Sequence, residues 1–247
     1  MPEEISWKEY ASLRPGDWKK PEYKHLWLLL YWPVELVFFM LAGRLPWVYH
    51  PVCCPLDEQL PLLEGFVVPY LLWFVCGAFV VLYTLRWNIP VFRKFMRYLI
   101  VTITLAGLVF LIYPNTFPGR PVTAWPVSVE EAYRQMPRKN VFSWMLSFVY
   151  FTDPPRNVFP SEHVVVSLGM MFSVWRDKRL RRPAFFLPFA ALQLLICVSV
   201  LFVKQHSVLD ILGALPVTLA GYFCCFFPGR AKKAGEEAPE KAEAKAE

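Results

Sequence analysis

Six long apolar stretches constrain the fold of this chain more than any other feature of its sequence. Each lies close to the ~20 residues that an α-helix needs to cross a bilayer, the shorter ones near the lower limit of ~17. They are Leu26–Ala42, Phe66–Leu85, Tyr98–Tyr113, Val158–Trp175, Ala184–Val203 and Val208–Phe227. With 56% hydrophobic and 17% aromatic residues, the chain is too apolar for an ordinary soluble domain. The sequence therefore predicts an all-α polytopic membrane protein, a bundle of six transmembrane helices.

The apolar stretches divide the chain into three parts. Residues 1–25 are polar with scattered aromatic side chains, which predicts a cytoplasmic or interfacial N-terminal arm. Residues 26–227 hold all six stretches and leave little room for a second domain. Residues 228–247 are mostly Ala, Glu and Lys with almost no apolar bulk, which predicts a disordered cytoplasmic tail.

Basic residues alternate between the links that join the stretches. They are frequent after the second and fourth stretches, whereas the links after the first and fifth hold only Arg44 and Lys204. The positive-inside rule then places both termini in the cytoplasm, in the cell membrane if the source is bacterial. The link after the third stretch is also basic. Counting spans from a cytoplasmic N-terminus places this link on the non-cytoplasmic side, so we interpret it as a long loop that is partly functional.

Four polar side chains begin or precede stretches that open on the non-cytoplasmic face: Arg120, His163, His206 and Asp210. An ionisable residue inside a span is costly and marks a functional site. His206 and Asp210 are four residues apart, the spacing of neighbours on one helix face. A carboxylate there can hold the imidazole in one tautomer and leave its other nitrogen nucleophilic.

The segment Pro160-Ser161-Glu162-His163 favours an anion site at the start of a helix. Proline suits a first turn and serine can cap it. Free backbone N–H groups, a hydroxyl and a basic side chain then offer several donors to one anion. Phosphate fits such a site better than a carboxylate, because its three oxygens need several donors.

These segments resemble the type 2 phosphatidic acid phosphatase (PAP2) superfamily of lipid phosphatases and phosphotransferases. That family shows, in order, Lys-x6-Arg-Pro, Pro-Ser-x-His and Ser-Arg-x5-His-x3-Asp. This chain reads Tyr113-x6-Arg120-Pro121, then the complete Pro160-Ser161-Glu162-His163, then Ser199-Val200-x5-His206-x3-Asp210. The resemblance covers roughly residues 98–227. Two family cations are replaced, one by Tyr113 and one by Val200.

The resemblance implies a mechanism that needs no metal and no cofactor. His206 would attack phosphorus, Asp210 would orient it, and His163 would protonate the leaving oxygen. Arg120, Ser161 and the backbone amide of Glu162 would hold the phosphoryl oxygens, and Tyr113 would add one hydrogen bond. Because Lys204 lies four residues after Val200, we expect it to return a cation to the same helix face, unless it only extends toward the membrane surface.

The resulting prediction is a metal-independent membrane phosphatase that hydrolyses a lipid phosphate or pyrophosphate through a phosphohistidine. One alternative is a lipid phosphotransferase related to inositol phosphorylceramide synthase. Another, favoured by the loss of two cations, is a catalytically weak lipid-binding membrane protein. The expected partners are a lipid phosphate and the membrane, with no nucleic acid; the lipid and the oligomeric state stay open.

Overall fold

The computed structural model describes residues 4–45, 47–122 and 128–227. Within them the chain is mostly helical, and two short strands pair in parallel, β1 (His50–Pro51) and β2 (Asn115–Thr116). The tail predicted for residues 228–247 lies outside the described residues. The helices are α1 (Trp7–Ala11), α2 (Tyr31–Ala42), α3 (Pro55–Gln59), α4 (Val67–Trp87), α5 (Ile89–Ile112), α6 (Val129–Gln135), α7 (Val141–Thr152), α8 (Glu162–Arg176), α9 (Pro183–Phe202) and α10 (Val208–Cys225).

Five helical segments in the described part of the chain are long and apolar enough to cross a membrane. Two of them include a 3-10 helix, Pro21–Leu30 before α2 and Glu64–Phe66 before α4. The segments are Pro21–Ala42, Glu64–Trp87, Ile89–Ile112, Pro183–Phe202 and Val208–Cys225. The prediction of an all-α polytopic membrane bundle is therefore confirmed.

The predicted fourth span differs in length and position from the helix that forms. The stretch Val158–Trp175 becomes α8, which begins only at Glu162 and has 15 residues, because the residues before it form a loop at the site described below. At 1.5 Å per residue α8 is about 22 Å long, short of a full hydrocarbon core. It packs against α4, α5, α9 and α10, and most of its side chains are buried between these longer helices.

The centre of the bundle is tight because two glycines face one tyrosine. A Cβ atom added at Gly169 of α8 would come within 2.2 Å of the Tyr98 ring of α5, and one at Gly221 of α10 within 2.7 Å. The Tyr98 hydroxyl donates to the carbonyl oxygen of Val165 at 2.7 Å. Close packing and this hydrogen bond fix α8 between α5 and α10.

The N-terminal arm packs against the end of the bundle that lies away from His163. Ile5 is buried, and the Tyr10 hydroxyl hydrogen-bonds to Nε2 of His25 at 2.8 Å and donates to the carbonyl oxygen of Leu85 at 3.1 Å. These contacts join α1 to the last turn of α4.

An apolar helix that we did not predict, α7, lies within the link after the third predicted span. Its first turn is capped by the Asn140 side chain, which accepts from the Ser143 amide at 2.9 Å. The helix ends at Thr152 and places Asp153 directly after it. This link is therefore folded against the bundle, and it contributes to the site.

Candidate active site

The loop between α9 and α10 holds His206 against Asp210. Nδ1 of His206 lies 3.0 Å from Oδ2 of Asp210, and the Ser207 amide donates to the same oxygen at 2.9 Å. His206 precedes α10 rather than belonging to it, so the contact spans the start of the helix. Because Nδ1 is occupied by the carboxylate, Nε2 is the nitrogen of His206 that is available for chemistry.

A second carboxylate, which the sequence analysis missed, holds this helix start. Asp57 accepts from the Ser207 hydroxyl at 2.6 Å and from the Val208 amide at 2.9 Å. Asp57 also accepts from the Cys54 amide at 2.7 Å, at the start of its own helix α3. The bonds to Ser207 and Val208 therefore tie α3 to α10. Burial raises the pKa of Asp57, but these hydrogen bonds together outweigh burial and leave the pKa below its ordinary value.

The ring of His163 lies between aromatic side chains of α4 and faces His206. Its centroid is 4.5 Å from that of Tyr70, 4.6 Å from that of Trp73 and 5.6 Å from that of His206. The indole Nε1 of Trp73 donates to the His163 carbonyl oxygen at 3.2 Å. Nε2 of His163 is buried, and no residue in the described part of the chain hydrogen-bonds to it. The two imidazoles thus face one region, His163 from the first turn of α8 and His206 from the loop before α10.

The loop before α8 is shaped by Asn115 of β2. The Asn115 side-chain oxygen accepts from the amides of Val158 and Phe159, both at 2.8 Å, and its nitrogen donates to the Phe159 carbonyl oxygen at 3.1 Å. The Ser161 amide donates to the Asp210 carbonyl oxygen at 3.1 Å. Oγ of Ser161 is buried, and within residues 4–45, 47–122 and 128–227 it has no partner, so this hydroxyl is available to donate.

Arg120 is a buried cation with unused donors. Its Nη1 donates to the Asp153 carbonyl oxygen at 2.8 Å, and its guanidinium lies 4.7 Å from the centre of the Tyr150 ring. Its Nε and Nη2 are buried and have no hydrogen-bond partner among the described residues. Unsatisfied buried donors of a charged group are costly, and an anion beside them would remove that cost.

Asp153 is a further carboxylate at the site that the sequence analysis did not single out. Its Oδ2 accepts from the Tyr70 hydroxyl at 3.1 Å and from the Gln205 side-chain amide at 3.2 Å. Burial raises the pKa of Asp153, and the charges of Arg120 and His206 offset part of that rise. It follows α7, the helix that we did not predict, and no motif pointed to it.

Two residues that we predicted to bind phosphate contact other groups in the structure. The prediction that Val200 and Lys204 share a helix face is wrong, because α9 ends at Phe202 and Lys204 has a φ of 53°. The Lys204 amine donates to the Asp57 carbonyl oxygen at 2.6 Å. Tyr113 follows the last residue of α5, is 42% exposed, and stacks on His50 with centroids 4.8 Å apart.

A cavity of about 690 Å³ joins the histidines to the apolar helices around them. Its polar lining includes His163, His206, Asp153, Gln205 and Glu162, and Glu35 adds a carboxylate from α2. The other walls come from α2, α4 and α7 and are mostly apolar, among them Leu36, Phe39, Phe74 and Phe148. A mostly apolar cavity that also holds polar and charged side chains suits an amphiphile.

The described residues hold no group of three or more His, Cys, Asp or Glu side chains arranged for a metal ion. What they do hold is an imidazole oriented by a carboxylate, a second imidazole facing it, and unpaired donors on Arg120 and Ser161. This set matches a nucleophile, an acid and base, and an oxyanion site for group transfer.

Comparison with known proteins identifies the family. The family model of the PAP2 superfamily matches residues 64–224, about two thirds of the chain. No match is found among curated proteins or among solved structures. The matched region runs from the 3-10 helix before α4 to the last turn of α10 and includes Arg120, His163, His206 and Asp210. The chain therefore belongs to the PAP2 superfamily and has, in general terms, a phosphatase-type function related to lipids.

Proposed function

We propose that the protein is a metal-independent phosphatase that hydrolyses a lipid phosphate or pyrophosphate through a phosphohistidine intermediate. The observation that carries the proposal is the polar lining of the large cavity. His163 and His206 line this cavity, and His206 is held by Asp210. Ser161 donates its amide to the Asp210 carbonyl oxygen, and Arg120 contacts Asp153, which also lines the cavity.

The first half of the reaction transfers the phosphoryl group to the protein. Nε2 of His206 attacks phosphorus, and the bond from phosphorus to the leaving oxygen breaks. Protonated His163 gives its proton to that oxygen, so the lipid alcohol, or the lipid monophosphate from a pyrophosphate, leaves neutralised by one proton. Asp210 stabilises the positive charge that develops on His206.

The second half returns the protein to its starting state. Neutral His163 accepts a proton from water, whose oxygen attacks phosphorus as the nitrogen–phosphorus bond breaks. Inorganic phosphate leaves, and His163 is again protonated. Donors on Arg120, Ser161 and the Glu162 amide stabilise the phosphoryl oxygens in both halves.

The apolar walls of the cavity support a lipid substrate. Leu36 of α2, Phe74 of α4 and Phe148 of α7 bring hydrocarbon surface to the same space as the histidines. An acyl or prenyl chain would lie against these side chains while its phosphate reaches His206. In this proposal the site opens on the non-cytoplasmic face, as the charge pattern of the links predicts.

The proposal is tested by phosphate release from purified protein in neutral detergent with EDTA, over a panel of phosphatidic acid, phosphatidylglycerol phosphate and prenyl pyrophosphate. We expect turnover of at least one lipid, and none after His206→Ala. Abolition by EDTA, or full activity of His206→Ala, would contradict the mechanism.

The same sample separates the two alternatives. A phosphorylated product formed from an added alcohol would identify a phosphotransferase. Saturable binding of a lipid phosphate, with no turnover of any panel member, would identify a lipid-binding protein that has lost catalysis.

A further inference from the structure

A second cavity lies at the opposite end of the bundle from the histidines. It has a volume of about 600 Å³ and forms around the end of α8, the turn before α9 and the last part of α10. His163 is near the start of α8 and Arg176 is its last residue, so about 20 Å of helix separates this cavity from the candidate active site.

Three cations line this cavity: Arg176, Lys178 and Arg181. Lys178 and Arg181 are exposed, whereas Arg176 is partly buried and donates to the Phe226 carbonyl oxygen at 2.5 Å. The one acid in residues 176–182 is Asp177, which is buried. Its carboxylate accepts from the amides of Arg179 and Leu180 and from the Asn88 side chain, at 2.7–2.9 Å. Asp177 therefore holds the turn together, and it is not among the residues that line the cavity.

Four aromatic rings and Met171 form the rest of the wall. Trp175 is 57% exposed and packs on Phe186 with centroids 4.9 Å apart, and Phe172 packs on Tyr222 at the same distance. Aromatic side chains at the end of a transmembrane bundle lie at the level of lipid headgroups. Cations alone would bind any small anion, but rings beside them add surface for the glycerol and the first acyl carbons.

We propose that this cavity, the basic–aromatic cavity, binds the headgroup of an anionic glycerophospholipid in the leaflet at the C-terminal end of α8. Basic pockets between membrane helices recognise such headgroups by charge. The site is separate from the histidines and takes a lipid that is bound rather than hydrolysed.

The basic turn itself provides a matched control. Lys178 and Arg181 line the cavity, whereas Arg179 and Arg182 lie in the same turn but not in its wall. Lys178→Gln/Arg181→Gln and Arg179→Gln/Arg182→Gln each remove two positive charges from residues 176–182. The two double variants lower the formal charge of the turn by the same amount, and Arg179 differs from the other three in that it also pairs with Glu4 at 3.0 Å.

The experiment titrates phosphatidylglycerol with brominated acyl chains into the full-length protein in neutral detergent and records quenching of tryptophan fluorescence. Subtracting the signal of Trp175→Phe isolates the basic–aromatic cavity from tryptophans elsewhere, such as Trp73. Each basic residue at an anionic lipid surface changes affinity roughly fivefold, so we expect Lys178→Gln/Arg181→Gln to bind about 25-fold more weakly. Arg179→Gln/Arg182→Gln is expected to bind as the unmodified protein does, and thermal melts without lipid check that both are folded.

Three outcomes would overturn the proposal. Equal weakening in the two double variants would assign the effect to the general charge of the turn. Equal quenching by brominated phosphatidylcholine would show that no anionic headgroup is recognised. Displacement by glycerol 3-phosphate at the same concentration would show that the site takes a small anion and not a lipid. The readout is fluorescence and not phosphate release, so its result is independent of the proposed reaction.

Discussion

At the scale of single residues, the contact between His206 and Asp210 has two functions that substitution can separate. Oδ2 of Asp210 accepts from the His206 ring and from the Ser207 amide, so one oxygen orients the imidazole and also closes the first turn of α10. An amide oxygen can still accept a hydrogen bond, but it carries no charge to stabilise a developing imidazolium.

We therefore predict that Asp210→Asn leaves the fold intact and lowers kcat by about 10³-fold or more, as in other His–Asp pairs. Phosphate release measured beside thermal melts checks this. A variant that keeps its turnover would mean that the carboxylate serves only as a helix cap.

The Lys204→Ala variant tests whether Lys204 replaces the phosphate-binding cation that is missing at Val200. As a phosphate ligand, its loss would lower kcat/KM by ~10- to 150-fold, since a charge-assisted hydrogen bond contributes roughly 1.5–3 kcal/mol. Its bond to the Asp57 carbonyl favours a different result: Lys204→Ala lowers the melting temperature and changes kcat/KM little. Steady-state kinetics and melts of this variant and of Lys178→Ala, an exposed lysine at the other end, decide between the two roles.

The sequence predicts those contacts of the site whose two residues lie close together along the chain. The pair His206 and Asp210 was predictable because four residues separate them, and His163 because its motif is contiguous. Asp57 bonds to Ser207 across 150 residues, and Asp153 to Gln205 across 52, so no local pattern reveals either carboxylate. The prediction that Lys204 shares a helix face with Val200 was wrong because it assumed a helix two residues longer than α9.

At the scale of secondary-structure elements, α10 begins where it does because Asp57 and Ser207 satisfy its first N–H groups. The Ser207 side chain accepts from the Leu209 amide at 3.1 Å, and Asp57 accepts from the Val208 amide. The position of His206 thus depends on α3, a five-residue helix outside the spans. The apolar stretches predicted the helices, but not this contact between a loop helix and a span.

We predict that Asp57→Asn lowers the melting temperature at neutral pH by on the order of 5 °C, from the loss of charge-assisted hydrogen bonds. Because these bonds hold the pKa of Asp57 below its ordinary 3.8, the carboxylate stabilises the fold above about pH 4. That contribution is lost as the pH falls through the lowered pKa. Melts across pH should therefore show the gap between the two proteins narrowing in acid, and a constant gap would contradict the assignment.

Helix packing gives a second prediction at this scale. Gly169→Ala would place a methyl group 2.2 Å from the buried Tyr98 ring, whereas Gly77→Ala in α4 meets nothing within 4 Å. We expect the first to destabilise the protein by about 1–3 kcal/mol and the second to be neutral or mildly stabilising. Unfolding of the two variants in detergent checks this, and equal stability would show that α5 and α8 can separate at no cost.

At the scale of the whole molecule, the histidines and the basic turn lie at opposite ends of one bundle. The exposed Cys53, close to β1, belongs to the end that holds the histidines, and Lys178 to the other. Arg120 is a poor labelling site because it is only 6% exposed.

We predict that a membrane-impermeant thiol reagent labels native Cys53 in intact cells. In a Cys53→Ser, Lys178→Cys variant, we expect it to label position 178 only after the membrane is opened. Labelling of both positions from the same side would contradict the proposed orientation.

The apolar walls of the large cavity bear on how the rate of the proposed reaction depends on substrate concentration. Leu36 and Phe39 belong to the least buried of the five candidate spans, so the histidines lie beside the helix that contacts its neighbours least. A substrate that arrives between such helices comes from the plane of the bilayer and not from bulk water. If the substrate is the lipid phosphate proposed above, the rate follows its mole fraction among the other lipids of the leaflet: adding inert lipid slows the reaction, and adding buffer does not.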